Sequence, residues 1–158
     1  MSLYMKQHVF TWGDTFSIYD DAGNVKYSVE GEVFTFGKKL HLFDRAGMEL
    51  AYIEQKIFTF LPRYYINRPG KGTVEVVKEF SFFTPEYSVN PQGWTVHGDF
   101  FAHEYEIEYG GQTVAAVSKE WFSFGDAYAI RFGVGVDEVL ALAVVLVIDA
   151  CIDAQNND

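Results

Sequence analysis

The sequence predicts a mostly β fold, a closed barrel of about twelve strands made from two similar halves around a central hydrophobic C-terminal α-helix. Three observations lead there. Residues 136–154, reading VDEVLALAVVLVIDACIDA, are apolar without a break from Val139 to Ile148 and hold no Gly or Pro. Residues 1–135 read as short alternating strands separated by turn residues. A barrel of about twelve strands has a lumen too wide for its own side chains to fill, whereas about eight strands pack themselves. A central helix supplies the missing filling, as in other large closed cans.

The helix comes first because it dictates the container. Ala and Leu favour helix, and about eighteen residues at 1.5 Å each span roughly 27 Å. Apolar side chains on all sides require burial on all sides. A bilayer is the alternative home, but the uninterrupted run is about half the roughly twenty residues a span needs. Asp137, Glu138, Asp149 and Asp153 border it, with no Lys or Arg to anchor it. No transmembrane segment is therefore expected. One domain over 1–158 is predicted, with strands within 5–132 and the helix over 136–155.

The strands follow in order. Residues 7–12 read as a leading strand, and Met1 to Leu3 as an appended stretch. The first clear hairpin is FSIYDDAGNVKYSVEG, turning at Asp20-Asp21-Ala22-Gly23-Asn24, where Gly and Asn supply positive φ. Strands are expected near 33–36, 39–43 and 49–58, separated by Gly37-Lys38 and Asp44-Arg45-Ala46-Gly47. A further hairpin pairs 63–67 with 73–83 across Arg68-Pro69-Gly70-Lys71-Gly72. Strands over 87–89, 94–98, 104–109, 113–121 and 127–132 complete the set. An internal repeat is expected: Gly47-Met48-Glu49-Leu50-Ala51-Tyr52-Ile53 matches Gly111-Gln112-Thr113-Val114-Ala115-Ala116-Val117, and Phe58-Thr59-Phe60 matches Phe122-Ser123-Phe124 at the same offset.

Composition narrows the function classes. With 49% hydrophobic and 18% aromatic residues, a substantial core is available. The net charge of −10 opposes nucleic acid as a partner and generic adhesion to anionic membranes. Residues 1–71 hold nine Lys or Arg against eight Asp or Glu, whereas 72–158 hold three against fourteen. An anion-binding surface is thus expected on the first half. No secretory signal pattern opens the chain, so a cytoplasmic location is expected, with attachment to a membrane surface as the alternative. Cys151, the lone cysteine, reads as a small core residue.

The run Phe16-Ser17-Ile18-Tyr19-Asp20-Asp21-Ala22-Gly23-Asn24-Val25, the following Val29-Glu30-Gly31, the repeated blocks and the apolar C-terminal helix resemble bacterial members of the tubby C-terminal-like superfamily, related to the LURP-one proteins and phospholipid scramblases. The resemblance covers nearly the whole chain and rests on pattern and order instead of a catalytic motif. It implies a twelve-stranded barrel closed around a C-terminal helix. For function it implies less: tubby domains bind phosphoinositides through a Lys and an Arg on neighbouring strands, and scramblase-like members are tied to lipid transport. No matching motif can be placed here, so no binding residue carries over.

Candidate sites are few. His97 and His103, with Asp99 and Glu104, have no common zinc spacing, and no metal is predicted. Glu104, Glu106 and Glu108 alternate onto one strand face, which reads as a solvated outer surface instead of a glycosidase cleft. No catalytic group and no cofactor are predicted. Lys38, Lys39, Arg63, Arg68 and Lys71 surround two turns, and their convergence at one barrel end would attract a phospholipid headgroup or a small anion. Asp149 inside the apolar run needs either water at a barrel mouth or a buried partner. Arg131 is the candidate partner. The reading is a non-enzymatic binding or scaffold domain of unassigned ligand; the alternative is a peripheral lipid-binding or scramblase-related protein.

Overall fold

The computed structural model describes residues 1–6, 15–32, 36–80, 84–122 and 125–156. Twelve strands precede one helix: β1 (Ser2–Lys6), β2 (Thr15–Tyr19), β3 (Val25–Gly31), β4 (Lys39–Asp44), β5 (Glu49–Gln55), β6 (Arg63–Arg68), β7 (Gly72–Glu79), β8 (Glu86–Asn90), β9 (Trp94–Asp99), β10 (Glu104–Tyr109), β11 (Gln112–Phe122), β12 (Gly125–Phe132) and α1 (Glu138–Asn156). Each strand pairs antiparallel with its neighbours in sequence, and β1 closes the barrel against β12. The expected fold class is therefore the observed one.

Alternation decides which face each strand buries, because successive side chains point to opposite sides. One aliphatic per strand makes the inner belt: Leu3, Ile18, Val29, Leu42, Ile53, Ile66, Val76, Val89, Val96, Ile107, Val117 and Ile130 are all buried. The belt surrounds α1, where every residue from Leu140 to Ile148 and from Ala150 to Ile152 is buried. Full burial of an aliphatic side chain is worth about 1.5–3 kcal/mol.

The helix ends are tied to the wall. Asp137 caps the first turn, its carboxylate accepting from the Leu140 amide at 3.2 Å and its carbonyl from the Ala141 amide at 3.0 Å. Arg68 at the end of β6 grips the same carboxylate with two nitrogens, at 2.7 and 3.2 Å. Burial works against the Asp137 charge, but the Arg68 and Leu140 hydrogen bonds prevail and hold its carboxyl below the usual range. Glu138 accepts a short hydrogen bond from Tyr27 and pairs with Lys26 at 2.9 Å. At the other end no basic residue lies in the last helical turn. Lys38 supplies the cation instead, donating to the Ala150 carbonyl at 3.1 Å and to Asp153 at 3.3 Å.

The two barrel ends differ. One carries the start of α1 and tight turns, among them Asp20–Asn24 and Asp44–Met48, which share a construction. In each, the first Asp accepts two amides at 2.9 Å, and Gly23 (φ 82°) or Gly47 (φ 84°) takes the left-handed position. The other end carries the close of α1 and, among the described residues, 36–38, 56–62, 84–85 and 100–103.

Several boundaries depart from the sequence reading. The opening residues are no appendage: Ser2–Lys6 form β1, with Leu3 and Met5 in the core. Two alternating apolar residues are too few to register as a pattern. The expected leading strand over 7–12 lies outside the described residues, as do 33–35 of the strand expected near 33–36. β5 stops at Gln55, before Phe58, which has φ 59° and cannot continue a strand. β7 stops at Glu79, and residues 81–83 of its expected extension lie outside the described residues. The hairpins β4–β5 and β10–β11 each carry one register shift, between Leu42 and Phe43 and between Ile107 and Glu108.

The burial pattern makes a stability prediction. Leu146→Ala should cost about 2–5 kcal/mol, as a cavity with rigid walls all round. The denaturant midpoint should fall with an unchanged slope, and a chain cut before residue 136 should lose its cooperative transition altogether. A truncated chain that still melts cooperatively would reject a central helix.

Candidate functional site at the loop end of the barrel

The five basic residues singled out from the sequence do not converge. Arg68 is bound to Asp137 at the start of α1, whereas Lys38 is bound to Asp153 near its close. These acids stand roughly 24 Å apart along the helix at 1.5 Å per residue. Lys71 stays with Arg68, its amide donating to the Arg68 carbonyl at 3.0 Å. Lys39 opens β4 opposite Glu54, and Arg63 opens β6 with Glu75 3.8 Å away. Both lie with Lys38 at the loop end. The split arises because Arg63 and Arg68 bracket one strand, and a strand runs from one mouth to the other.

Exposed aromatic rings, more than charge, mark the loop end. Phe36, Phe58, Phe60, Phe80 and Phe101 lie outside the strands at this end and are 86%, 99%, 93%, 63% and 63% exposed. Ile57 beside them is also exposed. Lys38, Lys39, Lys56 and Lys78 lie at the same end, Lys56 with its ammonium 5.9 Å from the Tyr65 ring centre. In the sequence Phe36, Phe58 and Phe80 fall within the strands expected near 33–36, 49–58 and 73–83, which hides that they share one end of the barrel with Phe60 and Phe101.

Inside this rim the floor is aromatic. The buried Phe100 meets the Tyr87 ring edge-on at 5.1 Å and Tyr105 at 5.3 Å. Tyr87 also hydrogen-bonds Cys151, whose thiol burial pushes up to about 11. An un-ionised, covered thiol is a poor nucleophile. His103, with φ 55°, stacks on Tyr128 at 4.2 Å and faces Asp149 at 3.9 Å. Asp149 therefore reaches the loop-end mouth, where its side chain is 22% exposed. Arg131 is not its partner: it points outward from β12 to Ser118 at 2.9 Å and to Glu120. Odd and even positions of a strand face opposite ways, and Ile130 holds the inward one.

The histidines part company because His103 leaves the strand pattern, in the connection after β9 at φ 55°. His103 faces the mouth, whereas His97 faces outward from β9, opposite Glu106 and 3.0 Å from Glu108. His97, Glu106 and Glu108 bring their donor atoms within 4.8 Å of one another and could hold a cation, though all three remain half-exposed. On the outer face of β4, His41 lies between Glu49 and Glu32, and the two carboxylates raise its pKa although burial opposes them.

His103 gives a pH dependence of defined sign. Burial lowers its pKa first and Lys119 second, while the 3.9 Å approach to Asp149 is too long for a hydrogen bond. The unfolded chain thus takes up the proton first as pH falls through 6.5, and the stability present above that value is lost below it. Relative to His103→Asn, which tolerates positive φ, the wild type should lose urea resistance on acidification. A gain instead would mean that the pair with Asp149 outweighs burial.

Comparison with known proteins agrees with this architecture. The family model described as LURP-one-related matches residues 1–149. The uncharacterized protein YxjI of Bacillus subtilis (strain 168) is 35% identical over 149 residues, covering 94% of this chain and 92% of its own. A protein of Arabidopsis thaliana with a known X-ray structure superposes with a TM-score of 0.60 at 17% identity, covering 95% of this chain and 91% of that one. With the family model and the Bacillus relative both spanning nearly all of its length, the chain belongs to the LURP-one-related family.

Proposed function

We propose that the chain is a non-enzymatic binding domain that docks on a lipid surface through the loop end of its barrel. The five exposed phenylalanines at one end carry this reading. Each fully buried ring is worth about 1.5–3 kcal/mol, so half-burial of five would supply roughly 4–8 kcal/mol before the costs of association. Phe58 adds weight: it holds a left-handed backbone at φ 59° while its ring is 99% exposed. A non-glycine residue there costs about 1–3 kcal/mol, and its ring gains nothing from the chain's own core.

Apolar insertion, more than charge, supplies the affinity. A net charge of −10 repels an anionic surface at long range, and Lys38 at the loop end is already held by Asp153. Lys39 and Lys56 beside the rings suit the interface, where aromatic and basic side chains gather at headgroup depth. No described helix is long and apolar enough to cross a membrane, so docking leaves α1 in the barrel. Among the described residues no nucleophile, base and orienting group converge on one pocket, which favours binding over catalysis.

Vesicle co-sedimentation tests this reading. Neutral phosphatidylcholine vesicles should carry the protein down nearly as well in high salt as in low, and adding anionic lipid should help little. The double variant Phe58→Ser with Phe60→Ser should stay in the supernatant with an unchanged melting temperature. Full retention of binding by that variant, or sedimentation only with anionic vesicles at low salt, would refute the proposal.

A further inference from the structure

The loop end contains a pocket of about 420 Å³ between the end of β7, Thr84–Pro85, Gly98–Phe101 and the close of α1. That size lies within the roughly 300–1,000 Å³ of small-molecule sites. Its lining combines one cation, Lys78, one anion, Asp99, and an apolar surface of Pro85, Tyr87, Phe100 and Phe101. Lys78 shares the inward parity of Val74 and Val76 on β7. Asp99 closes β9 and caps the following turn by accepting the Ala102 amide at 3.1 Å. Among the described residues, neither Lys78 nor Asp99 has an ion-pair partner, and they do not pair with each other.

The geometry points to a zwitterionic phospholipid headgroup, a phosphate joined through two carbons to an ammonium, as the occupant of this pocket. The inference rests on the lipid reading of the loop end and names the headgroup class. Two opposite charges that line one cavity without pairing are matched by a ligand that carries both. The phosphate goes to Lys78, a compact three-donor cation. The ammonium goes between Asp99 and the rings of Phe100 and Phe101, whose faces attract a cation most when it is weakly hydrated, as a quaternary ammonium is. A purely anionic headgroup would leave the Asp99 carboxylate in the same cavity unmatched. Acyl chains would leave toward Phe101 and Phe80, the exposed rings beside the pocket.

The test uses soluble headgroups, so that it does not depend on vesicle docking. Phosphocholine and phosphoethanolamine, titrated against the full chain and followed by protein NMR shifts, should bind at one saturable site. Inorganic phosphate and tetramethylammonium should each bind at least about tenfold more weakly, a difference of about 1.4 kcal/mol. Lys78→Met, Asp99→Asn, which keeps the capping oxygen, and Phe101→Ser should each weaken phosphocholine about tenfold without moving the melting temperature. The Phe58→Ser, Phe60→Ser variant should bind phosphocholine as the wild type does. If vesicles bind but phosphocholine does not, the headgroup assignment is wrong while surface docking stands. If phosphocholine binds at this pocket but vesicles do not, the docking surface is wrong while the headgroup site stands. Inorganic phosphate binding as tightly as phosphocholine overturns the assignment in favour of a simple anion site at Lys78.

Discussion

A helix that is apolar on every side has to be enclosed, and the rest of the structure follows from that enclosure. Leu140 to Ile148 leave no face for water. The wall must therefore be wide enough to hold a helix and apolar on its inner surface all the way round. Twelve antiparallel strands provide both, each donating an aliphatic residue to the belt that touches α1. Each part needs the other: the barrel without α1 would have an apolar lumen open to water, and α1 without the barrel would have nowhere to put its side chains.

Enclosing a helix leaves its two ends to be satisfied by the wall. At the start, the sequence places Asp137 and Glu138 where a helix favours negative charge, and Arg68, Lys26 and Tyr27 come from the strands to hold them. At the close, the sequence runs against the dipole, with Asp149 and Asp153 in the last turns and no basic residue. Lys38, from the connection before β4, bridges the Ala150 carbonyl and Asp153. Two of the five basic residues singled out from the sequence, Arg68 and Lys38, thus fasten the helix. Their charges are spent on the fold, which is why the functional reading moves from charge to exposed rings.

The asymmetry of the two mouths has the same origin. Short turns close one end, so little chain is left over there beyond what the strands need. The other end has longer connections, and those connections hold Phe36, Phe58, Phe60, Phe80 and Phe101 outward. Their burial within the chain would require the mouth to close over the end of α1, a space already taken by Phe100, Tyr105, His103 and Tyr128.

Much of the fold was legible in the sequence because its determinants are local. An unbroken apolar run without Gly or Pro specifies the helix, alternation specifies the strands, and Asp-x-Ala-Gly specifies two turns through one side chain and one positive φ. The need for a wide container follows from the helix alone. The site was not legible, because it depends on which mouth each residue reaches. Arg63 and Arg68 are five positions apart yet stand at opposite ends; His97 points outward from β9 while His103, in the connection that follows, faces the mouth; Asp149 meets His103, not Arg131, since one step along β12 reverses direction. A strand crosses the barrel in about six residues, so small sequence separations become whole-molecule distances, and only the closed sheet, with its register, decides which side chains share an end.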